Sequence, residues 1–130
     1  PNPEDKAAFA AALTLGKEVA ADLLLATDPD ADRLGVAGKD HAGEYVFLTG
    51  NQLGALLLDY ILQNTNKDYL QNARMIKTIV TSELGRAIAA SYGVETIDTL
   101  TGFKYIAEKI NTFDRTSERL FLVMKKVTVI

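Results

Sequence analysis

Short apolar runs alternate with longer stretches of helical period along most of this chain, and that alternation confines it to a layered α/β architecture. Leu23–Ala26, Leu34–Ala37, Tyr45–Phe47, Met75–Val80 and Val94–Ile97 have strand length and apolar content. Before the first of these, Phe9, Leu13, Gly16 and Ala20 fall on one helical face behind the capping sequence Asn2-Pro3-Glu4-Asp5. Thr49 and Gln52 have capping-box spacing, and the helix they open is expected to run from Asn51 to about Leu62 and to bury Leu53, Leu56, Leu57, Tyr60 and Ile61. A helix over Ser82–Tyr92 carries Leu84, Ile88 and Tyr92 and is closed by Gly93. A last one carries Phe103, Ile106, Ala107 and Ile110. Lys39–Gly43 has hairpin-turn composition, which puts the sole histidine, His41, in solvent. The expectation is an α/β fold: three-layer α/β/α units with mixed, largely parallel sheets, in two partial domains that divide near Leu48, residues 1–48 and 49–130.

Charge and composition remove several function classes. Fourteen basic residues against seventeen acidic ones give a net charge of −3, with no basic stripe, so nucleic acid is not the expected partner. No apolar run approaches membrane-spanning length, and the opening residues are not expected to act as a signal peptide. Cysteine is absent, which excludes disulfides and thiolate zinc sites and fits a cytoplasmic setting. The chain begins with proline rather than methionine and reads as a piece of something longer.

The chemistry concentrates in Thr27-Asp28-Pro29-Asp30-Ala31-Asp32-Arg33, which follows the apolar strand at Leu23 directly. Three alternating carboxylates in one short loop repel one another by roughly 1–4 kcal/mol per contacting pair. A hard divalent cation offsets that repulsion, and oxygen-only donors favour magnesium or manganese. Arg33 adds a place for an anion. A solvated turn would use the same residue types. An EF-hand loop does not fit, because Arg33 stands where that loop needs glycine and Lys39 where it needs glutamate. A phosphatase of the haloacid-dehalogenase kind would use Asp28 as nucleophile and Asp30 as acid, but Asp32 and the Arg-Leu-Gly that follows do not belong to that pattern. A non-catalytic α/β module with an acidic surface loop is a further alternative.

The same run resembles the metal loop of the α-D-phosphohexomutases, the phosphoglucomutase and phosphomannomutase family. Pro1-Asn2-Pro3-Glu4 resembles the segment ahead of that loop, and Thr99-Leu100-Thr101-Gly102-Phe103-Lys104 resembles the substrate-facing loop of the family's third domain. The resemblance covers roughly residues 1–119. It implies that residues 1–48 are the second half of domain two and residues 49–130 most of domain three. It further implies reversible transfer of a phosphoryl group between the 1- and 6-positions of a hexose, through a bisphosphorylated sugar and a phosphoserine in domain one. By the same resemblance Asp28, Asp30 and Asp32 hold Mg2+, while Arg33, Thr101, Gly102 and Lys104 meet the hexose phosphate or bisphosphate. No catalytic residue then lies in the chain itself, domains one and four are missing, and the isolated chain is expected to be inactive. Thr101 at a helix start also serves as an ordinary cap, a role compatible with holding an anion. Ser82 and Glu83 read as capping residues, and Asp114–Arg119 as a solvated loop.

The tail departs from the family, which places a Gly-x-Glu-x-Ser loop after the strand near Leu120. One codon choice for Val123–Val129, moved by a single base, reads Gly-Tyr-Glu-Glu-Ser-Tyr-Gly. A one-base deletion near codon 122 or 123 would thus have garbled residues 123–130 and removed the loop that reads the sugar. Leu120–Met124 is still expected to pair as a strand.

Overall fold

The computed structural model describes residues 6–113 and 119–124. The expected cap at Asn2, residues 114–118 of the loop expected over Asp114–Arg119, and the tail beyond Met124 lie outside those residues. The chain forms two compact units that divide between Leu53 and Gly54.

In the first unit, a 3-10 turn over Lys6–Phe9 leads into α1 (Ala10–Glu18). Three strands follow, β1 (Leu23–Thr27), β2 (Leu34–Lys39) and β3 (Tyr45–Leu48), paired as an antiparallel meander. Antiparallel pairing is dictated by the connections, which are too short for a parallel crossover. Within the second of them, Asp40 Oδ1 accepts from the Ala42 and Glu44 amides at 2.9 Å, and His41 is exposed, as its position in a turn implied. Phe9, Leu24 and Ala37 form the core, and Phe9 meets Phe47 edge-on at 5.1 Å. Gly16 lets α1 lie close to the sheet, since a Cβ there would stand 2.5 Å from Leu24 Cδ2. Ala20, expected on the buried face of α1, is instead exposed past its end with φ 53°. It closes the helix as glycine commonly does, its amide on the Lys17 carbonyl and the Ala21 amide on that of Gly16.

The second unit is a three-stranded parallel sheet of order β5-β4-β6, with β4 over Ala73–Thr78, β5 over Glu95–Thr99 and β6 over Arg119–Met124. Leu120–Met124 does pair as expected. Period-two alternation along β4 sorts the core into two layers. Met75 faces Leu58 and Leu62 of α2 (Gly50–Asn64) and Ala89 of α4 (Leu84–Ser91); Leu70, at the end of the short α3 (Lys67–Leu70), completes that layer. Ile76 points the other way, to Ile106 and Phe113 of α5 (Phe103–Phe113). Helices on both faces make this unit a three-layer α/β/α sandwich.

The capping box at Thr49 and Gln52 forms reciprocally: the Thr49 amide donates to Gln52 Oε1 at 2.9 Å, and the Gln52 amide to Thr49 Oγ1 at 3.2 Å. Gly93 closes α4 with φ 76°, its amide on the Ala90 carbonyl and the Val94 amide on that of Ala89. The face α2 buries differs from the expected one. Ala55, Leu58 and Leu62 are buried, whereas Leu56, Leu57, Tyr60 and Ile61 are exposed and Leu53 is half-buried. The helix is apolar over most of its circumference, so two stripes satisfy a 3.6-residue period, and the sheet takes the one with the smaller Ala55. The strand expected over Met75–Val80 ends early, because the Thr81 amide returns to the Thr78 carbonyl at 2.9 Å and turns the chain.

Candidate functional site

β1 delivers the acidic loop at its C-terminal end, and the loop is organised by Asp28. The Asp28 carbonyl accepts from the Ala31 amide at 3.0 Å, which closes a turn over Pro29 and Asp30 and leaves Ala31 at φ 56°. The Asp28 carboxylate accepts from both ends of Arg33, the main-chain amide at 3.2 Å on Oδ1 and Nε at 2.5 Å on Oδ2. Asp32 Oδ1 lies 3.6 Å from the same Nε. Of the two terminal guanidinium nitrogens of Arg33, Nη1 is buried with no hydrogen-bond partner.

These turns bring Asp28, Asp30 and Asp32 together, with one carboxylate oxygen of each within 4.8 Å of the others. Asp28 is buried, Asp30 and Asp32 are exposed. Octahedral Mg2+ with bonds of about 2.0–2.1 Å needs ligand oxygens roughly 3–4 Å apart. The trio therefore fits such an ion after a small contraction, and its all-oxygen chemistry matches a hard cation. The carboxylates also differ electrostatically. Burial pushes Asp28 up, but the hydrogen bonds and charge of Arg33 outweigh it and hold the group below its ordinary 3.8. Asp32 is raised above that value by desolvation first, then by the charge of Asp30 and by its contact with Asp28.

Thr101, Gly102 and Lys104 belong to the second unit, in and beyond the loop that joins β5 to α5. Thr101 and Lys104 are exposed, and Gly102 takes φ 139°, a conformation side-chain-bearing residues rarely adopt. The three lie together at the C-terminal side of a parallel strand, where open α/β sheets receive ligands. Arg33 stands with the aspartates of the first unit.

One group of charges went unnoticed in the sequence. Lys77, fully buried on β4, places Nζ 2.7 Å from Glu83 Oε1 and 3.4 Å from Asp98 Oδ1. Arg86 Nε lies 2.7 Å from Glu83 Oε2, and Nη2 bonds Asp98. Glu83, read as a capping residue, occupies the cap position of α4 but makes no cap bond with its side chain, which holds these two cations instead. Ser82 does cap, accepting from the Leu84 amide at 3.2 Å. The available signal was a lysine inside an apolar strand, which needs a carboxylate to stay buried.

Residues 49–117 match the family described as phosphoglucomutase/phosphomannomutase, alpha/beta/alpha domain III, and residues 1–43 match its domain II. A phosphoglucomutase of Staphylococcus aureus (strain USA300) is 47% identical over 120 residues, 92% of this chain and 21% of that protein. The same enzyme from strain N315 is 46% identical over the same span. The chain thus spans about a fifth of the length of these curated relatives. Among solved structures, an N-acetylglucosamine-phosphate mutase of the alpha-D-phosphohexomutase superfamily aligns with TM-score 0.48 at 21% identity, over 71% of this chain and 21% of that one.

Proposed function

The chain belongs to the phosphoglucomutase/phosphomannomutase family, and from that premise we propose that it is part of a magnesium-dependent mutase that moves a phosphoryl group between the 1- and 6-positions of a hexose phosphate. In this reading residues 1–48 are the second half of domain two and residues 49–130 most of domain three. The phosphoserine donor belongs to domain one, the second phosphate site to domain four, and the whole protein works in the cytoplasm.

One observation carries the reading: three carboxylates of one short loop converge to within 4.8 Å beside an arginine with an unpartnered buried nitrogen. Asp28, Asp30 and Asp32 would hold the metal. Mg2+ bound there supplies charge neutralisation beside a transferring phosphoryl group. Arg33 fixes Asp28 through two hydrogen bonds and keeps it ionised, ready to act as a ligand. Its free Nη1 is suited to a phosphate or sugar oxygen, where a guanidinium makes paired bonds. Thr101 offers a hydroxyl, Gly102 an unscreened backbone and Lys104 a positive charge to the sugar phosphate. The phosphatase alternative is disfavoured because both Asp28 oxygens already accept hydrogen bonds from Arg33, which blunts the carboxylate as a nucleophile.

Calorimetric titration with Mg2+ or Mn2+ tests the reading. One-site binding, lost in Asp30→Ala, is expected; identical titrations of both proteins would leave an acidic surface loop and nothing more. A coupled phosphoglucomutase assay on the 130-residue chain should give no turnover, since the donor serine lies elsewhere. Measurable turnover would refute that division of labour.

A further inference from the structure

We propose that Lys77 is a positioning residue: its buried ammonium pins the loop between β4 and α4 and, through Asp98, ties that loop to the strand that presents Thr101 and Gly102.

The geometry is that of a clamp. Besides Glu83 and Asp98, Nζ donates to the carbonyls of Thr78 at 3.3 Å and Thr81 at 3.0 Å, the two ends of the turn that leaves β4. The Thr78 and Thr81 hydroxyls bond each other at 2.8 Å inside the same turn. The Ile79 amide crosses to the Thr99 carbonyl at 3.0 Å, so the turn is stitched directly to the end of β5. Asp98 precedes that carbonyl by one residue and Thr101 by three. One buried cation therefore touches the start, the end and the far side of a single loop, and its strand neighbour bears the residues assigned to the sugar phosphate.

Stability alone does not favour a lysine at position 77. A buried cation pays a large desolvation cost, and an apolar side chain of similar shape is often as good or better. Its carboxylate partners are themselves substantially solvated, 68% exposed at Glu83 and 46% at Asp98, so both can find water when the lysine is gone. Order in the loop is what the lysine contributes. Its consequence for a ligand at Thr101 and Gly102 rests on the function proposed above; the clamp itself does not.

Amide hydrogen exchange by NMR on the 130-residue chain separates the two. In Lys77→Met the Ile79 and Thr81 amides should exchange about tenfold faster, the effect of losing roughly one hydrogen bond's worth of local protection. Val36 and Ala37 in the other unit should not change, and the denaturation midpoint should hold or rise. Glu83→Gln, at an exposed position, should speed exchange at the same two amides more weakly. Unchanged Ile79 and Thr81 exchange in both variants would overturn the clamp. So would a uniform acceleration across the second unit, which marks a merely structural role. Glucose 1,6-bisphosphate added to the parent chain should shift the Thr101 and Gly102 amides, and less so in Lys77→Met. If it shifts neither protein while the exchange result holds, the sugar-phosphate reading of that loop fails and the clamp stands.

Discussion

Two strand ends in this chain gather charge, and they do it in opposite ways. After β1, three carboxylates face one guanidinium, and a nitrogen of that guanidinium is buried without a partner. After β4, two cations and two carboxylates, Lys77, Arg86, Glu83 and Asp98, satisfy one another. The second set is closed and spends its charges holding a loop. The first is unbalanced in both signs: it has carboxylates to offer a cation and a donor to offer an anion. In the function proposed above, charge balance, more than charge density, separates a loop that takes a ligand from one that does not. The largest expected effect breaks the comparison at this point. Asp30→Ala should weaken Mg2+ binding by at least about 100-fold, more than the loss of an outer-shell partner usually costs. Glu83→Gln should leave it unchanged, and equal losses in the two variants would show that the loops are not different in kind.

Titration sharpens the same contrast. Glu83 sits below its ordinary 4.5, through the hydrogen bond from Lys77 first and that from Arg86 second. A depressed carboxyl stabilises the fold fully above its unfolded value and loses that contribution as the pH falls through the folded one. Asp32 lies above its ordinary 3.8, so its ionised form weakens the fold and acid relieves it. Lowering the pH through this region should therefore loosen the loop after β4 while easing the loop after β1. Carboxyl carbon shifts followed by NMR should find Asp32 titrating above 3.8 and Glu83 below 4.5 without metal. Saturating Mg2+ should then bring Asp32 down and leave Glu83 in place. An Asp32 that titrates low before any metal is added would mean its neighbours impose no repulsion.

The unbalanced loop was legible in the sequence because its chemistry is local. Alternating carboxylates within five residues meet whatever the rest of the fold does, and a turn at Pro29 suffices to gather them. The reciprocal cap at Thr49 and Gln52 and the glycine closure at Gly93 were legible for the same reason: their partners lie within a helical turn or so. The balanced set was not, because Lys77 and Asp98 are neighbours only after β4 and β5 align in parallel, Lys77 opposite Asp98. The buried face of α2 failed for a related cause. Leu56 and Leu58 are equally apolar, and only the position of the sheet decides which is covered.

Backbone strain separates the loop after β1 from the one that bears Gly102. Gly102, at φ 139°, suits its conformation, and a Cβ there would also meet Tyr105 Cδ2 at 3.3 Å, so Gly102→Ala should cost about 1–3 kcal/mol. Ala31, at φ 56°, does not suit its own, and Ala31→Gly removes a left-handed strain of roughly 1 kcal/mol. The freer unfolded chain of a glycine returns about 0.4–1 kcal/mol of that, so the net gain should be a few tenths at most. Urea denaturation followed at the amides of β1 and β2 reads it in the unit that contains the loop. The informative measurement is the same substitution with Mg2+ present. If the left-handed turn at Ala31 is what aims Asp30 and Asp32 at a common point, a residue at ease there should bind the ion at least as tightly. Weaker binding in Ala31→Gly would mean that the alanine's stiffness, and not the turn alone, holds the carboxylates in register.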